Sequence, residues 1–464
     1  GDVSVTGTLT GNASAISMGS LTLAGTYSAT SGTTTITGPH VGDYYVVDVN
    51  SGTLTHNNGT FAFTNSGGSA IKIDMGSDWV NQPFKNVSVT GTAGHKIHGS
   101  GWGMNVEGTL TIGSGATLRT QNGNNPLTVD GDVSVTGTLG NVGGDTSDWS
   151  FGSLTIASGG TYNATSGTTT LTDKDGSTYA YKNNAGTLVA NKGTIKTTEG
   201  AAVKFEQLGS YTGNIYNFEV ANGGYNVYFK DQADNSGTFT IDNNMTITTG
   251  KPRYDDAAQD LTVKGHVYVA GTSNAKFWGA SGTGDIELGG ATIESGGEFE
   301  TPTGTTTIKG SLRNMSSSFV SNDSIVFAGT GGILEGNLDD AIINVNLDPV
   351  LDFDHDNDHI TVANHSSISV TQVTFSAWFK TPDVTDVTND YLTIYDDRHS
   401  VNGNGFFLGI YDDNQKMMLY NGITDTSGGG ALINILSDDA IPINTWTHVA
   451  VTIDKTGDAS KMYI

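Results

Sequence analysis

The feature that most constrains the fold is an internal repeat. The chain opens on GDVSVTGTL at residues 1–9, and the same nine residues return at 131–139. A more diverged copy reads LTVKGHVYVAGT at 261–272 and matches LTVDGDVSVTGT at 127–138. Long repeats therefore begin near residues 1, 127 and 261, and self-similarity at a long period is the sequence signature of a stacked architecture.

Each repeat is built from alternating apolar and small polar residues. Val5 and Leu21 stand beside Ser4 and Thr22, and the same alternation recurs along the first three quarters of the chain. This period of two is typical of strands that bury one face. We expect Val5 and Leu21 to point into the core, and Ser4 and Thr22 to point outwards.

Gly and Asn interrupt the strands at short intervals, as in NNG at 57–59 and NKG at 191–193. Such residues supply the positive-φ corners that short strands need. Short strands, few hairpin dipeptides and a long repeat favour a parallel β-solenoid over a sandwich. We expect a right-handed solenoid over residues 1–347, with roughly 20–25 residues per coil and five or six coils per long repeat. Coils stacked at about 4.8 Å would give a rod of roughly 70 Å.

The composition excludes several classes of partner. The formal net charge is -26 and the isoelectric point is near 4.4. Neither nucleic acid nor an anionic membrane surface is expected as a partner, since both need basic patches. No apolar run is long enough for a membrane span, and the absence of cysteine excludes disulfides and thiol chemistry. Residue 1 falls inside a repeat, so we expect the chain to be part of a longer polypeptide.

A change of composition near Asp348 predicts a domain boundary. Beyond it, four segments stand out: VLDFDHDNDHITV at 350–362, VTFSAWFK at 373–380, GNGFFLGI at 403–410 and NTWTHVAVTID at 444–454. These segments, in this order, resemble the laminin G-like, concanavalin A-like jelly-roll family. The resemblance implies a jelly-roll β-sandwich over residues 348–464 that is incomplete at its C-terminal end. The chain as a whole is therefore expected to be all-β, a β-solenoid followed by a jelly roll.

The resemblance also implies where ligands would bind. Carbohydrate binding in this family uses loops at the rim and concave face, which places six candidates in one stretch, although an ordinary polar loop is an open alternative: Tyr391, Asp396, Asp397, Arg398, His399 and Asn402. Family members often bind calcium at the rim, and oxygen ligands suit that ion. Asp354, Asp356 and Asp358 are the candidate calcium ligands, with a solvated acidic turn as the alternative. The family pattern further implies that Trp446 is buried in the core and that His448 is hydrogen-bonded.

The repeats resemble the β-helical stalks of large bacterial adhesins and of phage fibre proteins. Together with the jelly roll, this implies a non-enzymatic extracellular structural or adhesion protein, in which a solenoid spacer presents a module that binds a glycan or a surface protein. Self-association into a fibre is also open. A phage tail fibre or virion decoration protein is the first alternative, which would place the chain on a virion rather than on a cell surface.

The second alternative is a polysaccharide-cleaving β-helix enzyme with a binding module. Such an enzyme needs clustered carboxylates or basic residues at a break in the repeat. The best cluster of that kind in the sequence consists of Lys251, Arg253, Asp255, Asp256 and Asp260.

Overall fold

The structure is a computed structural model, and the residues it describes fall into two parts. The first part is 1–344, with gaps at 40–42, 50, 67–70, 100, 122–123, 142–144, 233–236, 255–258, 279–281, 323–324, 329–333 and 337–342. The second part comprises 372–381, 391–396, 405–411, 415–422, 432–454 and 460–464.

The chain divides into two compact units, Gly1–Ala363 and Asn364–Ile464. This division and the boundary predicted near Asp348 both fall within 345–371, outside the described residues. The domain limits 1–347 and 348–464 therefore stay predictions. Each unit is described by itself below.

The first unit is a parallel β-solenoid, as the sequence predicts, and its turns stack strand on strand. One face is a nine-stranded sheet, whose strands are Val3–Val5, Leu21–Leu23, Tyr45–Val49, Ile71–Asp74, Gly94–Ile97, Thr117–Thr120, Thr138–Leu139, Thr161–Asn163 and Thr187–Val189. Two smaller sheets consist of Thr8–Thr10, Thr26–Ser28 and Thr53–Thr55, and of Lys276–Trp278, Glu298–Glu300 and Ser318–Val320.

The remaining solenoid strands form one continuous hydrogen-bonded system, because long bent strands cross from one face to the next. Its strands are Ile16–Met18, Thr33–Ile36, Thr60–Phe63, Asn86–Val89, Met104–Val106, Leu110–Ile112, Leu127–Val135, Trp149–Ile156, Thr168–Leu171, Tyr179–Asn184, Thr194–Thr197, Val203–Leu208, Asn217–Asp231, Thr238–Ile241, Met245–Tyr254, Asp260–Val269, Ile286–Ile293, Thr306–Ile308, Leu312–Asn314, Ile325–Phe327, Leu334–Gly336 and Ile343–Asn344. The described residues contain no α-helix, only a single 3-10 turn at Trp79–Asn81.

The length of a turn varies more than the sequence indicates. Partners on neighbouring turns are 18 residues apart where Val3 pairs with Leu21, and 27 apart where Tyr45 pairs with Lys72. The expected range of about 20–25 is thus too narrow. Both the corners and bulges within strands accommodate the difference, and one such bulge shifts the register between Lys72 and Ile73.

The inward and outward directions follow the alternation in the sequence. Leu21 is fully buried and Val5 is 6% exposed, whereas Ser4 is exposed and Thr22 is half-buried. The predicted core-facing register is therefore confirmed. Apolar side chains from every face meet in a single core that runs through the solenoid.

Asparagine and glycine form the corners, as the sequence predicts. Asn57 and Asn58 have φ of 46° and 64°, and Asn191 and Lys192 have 47° and 61°. Gly193 follows directly, and a Cβ there would lie 2.0 Å from the carbonyl oxygen of Thr165 on the turn below. Glycine is needed at this corner because two turns of backbone come into contact.

The long repeat does not return to the same face of the solenoid. The strand of Tyr27, Thr26–Ser28, lies on a small sheet, directly after the strand Leu21–Leu23 of the nine-stranded sheet. The equivalent Tyr162 lies in the nine-stranded sheet itself, six strands beyond Leu21–Leu23. Because each turn has three faces, one repeat spans five full turns and about two thirds of another.

The third copy continues this rotation. Phe299 is equivalent to Tyr162 in sequence, and its strand pairs with Lys276–Trp278 and Ser318–Val320 in a separate sheet. A pairing between Gly250 and Ala275 attaches that sheet to the remaining face of the solenoid. The three copies therefore place the same residue on three different faces.

The second unit consists of two antiparallel sheets. One has three strands in the order Gln372–Phe379, Thr447–Asp454 and Lys461–Tyr463, and the other is a meander of Tyr391–Asp396, Gly405–Tyr411, Lys416–Gly422 and Leu432–Ala440. A small core that includes Leu408, Leu419, Val449 and Val451 holds the two sheets together. Three of the four family segments thus contain strands, while 350–362 lies outside the described residues.

Candidate functional site

The three-stranded sheet of the C-terminal unit presents an exposed tryptophan. Phe375, Ala377 and Phe379 pack against the core of the unit. Since side chains alternate along a strand, Ser376 and Trp378 point to the opposite face. Trp378 is 67% exposed, which is unusual for so large an apolar side chain.

His448 lies directly beside this tryptophan. It pairs in register with Trp378 on the neighbouring strand, and the two ring centroids are 5.0 Å apart at an angle of 45°. Nε2 of His448 is 2.8 Å from the hydroxyl oxygen of Ser376. This confirms that His448 is hydrogen-bonded, and the contact fixes the imidazole next to the indole.

Trp446 corrects the expectation from the family pattern. It is 46% exposed rather than buried in the core. It lies just before the strand Thr447–Asp454, whose alternate residues Val449 and Val451 fill the core instead. Trp446 has the same parity as His448, opposite to that of Val449 and Val451, so the alternation along the strand directs it away from the core.

We define the aromatic face of the C-terminal unit as Trp378, His448, Trp446 and Tyr463. Tyr463 is 54% exposed and its strand pairs with Ala450 beside His448. Exposed indole and phenol rings combine an apolar surface with a polar edge. Such a surface can stack on the apolar side of a sugar ring or receive an apolar side chain of a protein.

The rim residues predicted from the sequence are only partly described. Tyr391 and Asp396 are the first and last residues of one strand, so their backbones are about 17 Å apart at 3.3 Å per residue. Asp397, Arg398, His399 and Asn402 lie outside the described residues, and the rim site stays a prediction.

The predicted calcium ligands also lie outside the described residues, since Asp354, Asp356 and Asp358 all fall within 345–371. Across the part of the chain that the structure describes, no group of three or more His, Asp or Glu side chains is arranged to hold a metal ion. In the same part, no helix has the length and hydropathy to cross a bilayer.

The acidic cluster considered for catalysis is described only in part. Asp255 and Asp256 lie in the gap at 255–258. Oδ1 of Asp260 accepts a hydrogen bond of 2.8 Å from the backbone N–H of Asp285 on the next turn. Asp260 therefore links two turns of the solenoid.

The sequence-based expectations did not include an exposed Trp378. The segment VTFSAWFK carries the signal, because Phe375, Ala377 and Phe379 share one parity and Trp378 has the other. An alternating strand that buries the two phenylalanines must expose the tryptophan.

The fold and this aromatic face define an all-β protein that combines a parallel solenoid with an antiparallel two-sheet unit, an architecture that fits a binding or structural role. Residues 354–464 match the laminin G-like family model of the concanavalin A-like lectin/glucanases superfamily. The match covers about a quarter of the chain and none of the solenoid strands. No curated protein and no solved structure matches the chain.

Proposed function

We propose that the chain is a non-enzymatic extracellular adhesion or structural protein, in which the solenoid serves as a spacer and the C-terminal unit binds a glycan. The observation that carries the proposal is the exposed Trp378, held beside His448 in a unit that matches the concanavalin A-like lectin/glucanases superfamily. The place of action is the exterior of a cell or of a virion. An acidic chain without cysteine is compatible with either setting.

The proposal is tested by retention of the whole chain on immobilised neutral polysaccharides. Trp378→Ala is expected to weaken retention at least about tenfold, since hot-spot aromatic side chains contribute 2 kcal/mol or more to binding. Trp102→Ala is the matched control, because Trp102 is a solenoid tryptophan that is 36% exposed. Equal weakening in both variants, or no retention of the unmodified chain on any glycan, would contradict glycan binding at the aromatic face.

Calcium is proposed as a cofactor of the same unit, on the carboxylates of Asp354, Asp356 and Asp358. Retention that is lost with a chelator and regained with added Ca²⁺ would support this. The triple change to Asn should then abolish the chelator effect, because neutral amides bind Ca²⁺ more weakly than carboxylates do. Retention that is unaffected by the chelator removes calcium from the proposal and leaves glycan binding intact.

The same retention experiment distinguishes binding of the polysaccharide from its cleavage. A non-enzymatic module releases the bound polysaccharide at its original length. Shortened chains with new reducing ends in the eluate would identify a glycan-cleaving enzyme instead. If no glycan is retained but a surface protein or a second copy is, the aromatic face is a protein contact in a fibre.

A further inference from the structure

Many basic side chains on the outside of the solenoid face an acid on the neighbouring turn. Nζ of Lys196 is 2.8 Å from Glu219 and that of Lys276 is 2.5 Å from Glu298, and both pairs are opposite in register. Further pairs of this kind join Lys182 and Lys230 to Glu206, Lys264 to Asp242, Lys309 to Glu287 and Arg313 to Glu335.

The three basic residues in the strands of the nine-stranded sheet do not follow this pattern. Lys72 pairs in register with Lys96, and Lys96 pairs with Arg119, so three cations follow one another on three successive turns of the nine-stranded sheet. None of the three forms an ion pair with a described residue. We call this group the basic ladder.

The basic ladder is unfavourable in isolation. Like charges directly opposite on neighbouring strands are destabilising, and the chain has 47 acidic residues against 21 basic ones from which counter-charges could be drawn. Burial, together with the neighbouring Arg119 and Lys72, lowers the pKa of Lys96. Nε of Arg119 is buried and has no hydrogen-bond partner in the described part of the chain. Local arrangements that break the rules of the rest of the fold are expected at functional sites.

The surroundings differ at the two ends of the basic ladder. At one end, Nζ of Lys72 lies 4.5 Å from the ring centroid of Tyr45. The acids nearest in register are Asp48 and Asp74, which pair with each other and therefore stand beside the Lys72–Tyr45 pair rather than opposite Lys72. Oδ2 of Asp74 is 2.9 Å from Nδ1 of His98. The positive charge is therefore least compensated at the other end, around Lys96 and Arg119.

At the Arg119 end, the neighbouring position on the next turn has no side chain. On the next turn the chain continues from Leu139 to Gly140, whose N–H donates to the carbonyl oxygen of Leu118 at 2.8 Å. The position beside Arg119 on that turn is thus a glycine and carries no side chain. No side chain at that position competes for the guanidinium, whose fork of N–H donors suits planar or tetrahedral anions.

We propose that Lys96 and Arg119, with Lys72 as a third contact, bind the sulfate or carboxylate groups of an acidic polysaccharide that lies along the solenoid. This site is separate from the aromatic face of the C-terminal unit and does not depend on it.

The spacing favours a linear polymer with sparse charge. Successive turns lie about 4.8 Å apart, so the cations follow the solenoid axis in a row of roughly 10 Å. A sugar residue is of similar length to one turn, so anionic groups on successive sugars can meet successive cations. A nucleic acid duplex carries one charge per about 1.7 Å, which three cations in a chain of net charge -26 cannot neutralise.

The test compares binding of the whole chain to dextran sulfate and to unmodified dextran at low ionic strength. Dextran sulfate should bind and unmodified dextran should not. The double variant Lys96→Gln, Arg119→Gln should lose at least about tenfold in affinity, the effect of removing charge-assisted hydrogen bonds. The control double variant Lys196→Gln, Lys276→Gln removes the same charge from paired positions and should bind as the unmodified chain does.

Several outcomes would overturn the proposal. No binding of the unmodified chain, or equal loss in the two double variants, would show that the basic ladder is not a site. If inorganic sulfate stabilises the chain against heat as much as dextran sulfate does at the same concentration of sulfate groups, the basic ladder is a small-anion site. Tighter binding of a single-stranded oligonucleotide through the same residues would indicate nucleic acid, and self-association lost only in Lys96→Gln, Arg119→Gln would identify a second copy as the partner.

The two proposals are separated by one further variant. Dextran sulfate binding that survives Trp378→Ala and fails in Lys96→Gln, Arg119→Gln belongs to the basic ladder. Failure of neutral glycans to bind would leave this result unchanged.

Discussion

The hydroxyl oxygen of Tyr162 lies 2.7 Å from Oγ1 of Thr169 inside the solenoid, and both side chains are buried. The pair spans a corner, seven residues apart, and joins two faces of one turn. The first long repeat contains the same pair, with 3.3 Å between Tyr27 and Thr34. A buried hydroxyl pair of this kind satisfies two polar groups that would otherwise be unpaired in an apolar core.

Tyr162→Phe is therefore expected to destabilise the solenoid by about 1–2 kcal/mol, because Thr169 would keep a buried hydroxyl without its partner. The midpoint of urea unfolding measures the loss. In a double-mutant cycle with Thr169→Val, the double variant should lose less than the sum of the two single losses. Strictly additive losses would show that the two hydroxyl groups do not interact.

The third repeat has lost this pair. Phe299 stands where the other copies have tyrosine, and it stacks between Phe277 and Phe319 with centroids 4.7 and 5.2 Å away. Thr306, the equivalent of Thr169, is fully buried, and its hydroxyl has no hydrogen-bond partner among the described residues. The stacked rings have replaced the hydroxyl pair, and the threonine remains.

The same substitution should consequently act in opposite directions at two equivalent positions. Thr306→Val is expected to stabilise the chain by about 1–2 kcal/mol, since it removes an unpaired buried hydroxyl at nearly constant volume. Thr169→Val is expected to destabilise it by a similar amount. Urea midpoints of the two variants provide the comparison, and a loss of stability in both would contradict the unpaired state of Thr306.

A matched pair of charge insertions tests the inward register of the solenoid. Leu21→Lys places an ammonium group at a fully buried position and should cost several kcal/mol, roughly the largest class of single-site effects. Thr22→Lys places it on the outer face, opposite Asp48 in register, and should change stability by only about tenths of a kcal/mol. Thermal unfolding of the two variants decides the point; similar shifts would mean that the register is wrong.

His95 should make the solenoid sensitive to acid. Its side chain is fully buried, and this burial lowers its pKa to about 4. An unfolded histidine titrates near 6.5, so between these values the unfolded chain binds the proton and the folded chain does not. Stability contributed by the neutral ring is therefore present above pH 6.5 and is lost as the pH falls towards 4, by roughly 3 kcal/mol in all.

His95→Gln removes this titration. The difference in unfolding free energy between the unmodified chain and the variant should shrink as the pH is lowered from 7 to 4. Denaturant unfolding at a series of pH values measures it, and the carboxylates common to both proteins cancel in the difference. A difference that is constant with pH would show that His95 is not buried in its neutral form.

Local patterns predict the direction of side chains in the solenoid but not which turns neighbour which. The alternation around Leu21 and the positive φ at Asn57 follow from the identity of a few adjacent residues. The basic ladder has no such signal, because Lys72, Lys96 and Arg119 are 24 and 23 residues apart. These residues become neighbours only because of the lengths of the turns between them, and turn length differs along the solenoid, for example 18 residues from Val3 to Leu21 and 27 from Tyr45 to Lys72.

The C-terminal unit shows the same division between local and non-local information. The motif containing Val449 and Val451 correctly predicts a core strand. Trp446 shares the parity of His448, opposite to that of Val449 and Val451, so the alternation itself predicts the exposure of Trp446, contrary to the family pattern. The motif does not identify its partner strand, Gln372–Phe379, which lies about 70 residues earlier in the chain.

Each long repeat spans a fractional number of turns, and this limits how many copies of a shared surface feature one partner can bind at once. Because equivalent residues such as Tyr27, Tyr162 and Phe299 lie on three different faces, any outward feature shared by the repeats is also carried round by about a third of a revolution from copy to copy. A flat partner can engage only one copy from a given side, so it gains no avidity from the others. Partners approaching from different directions would each meet a separate copy, so a shared surface feature would favour contacts with several partners over avid binding to one.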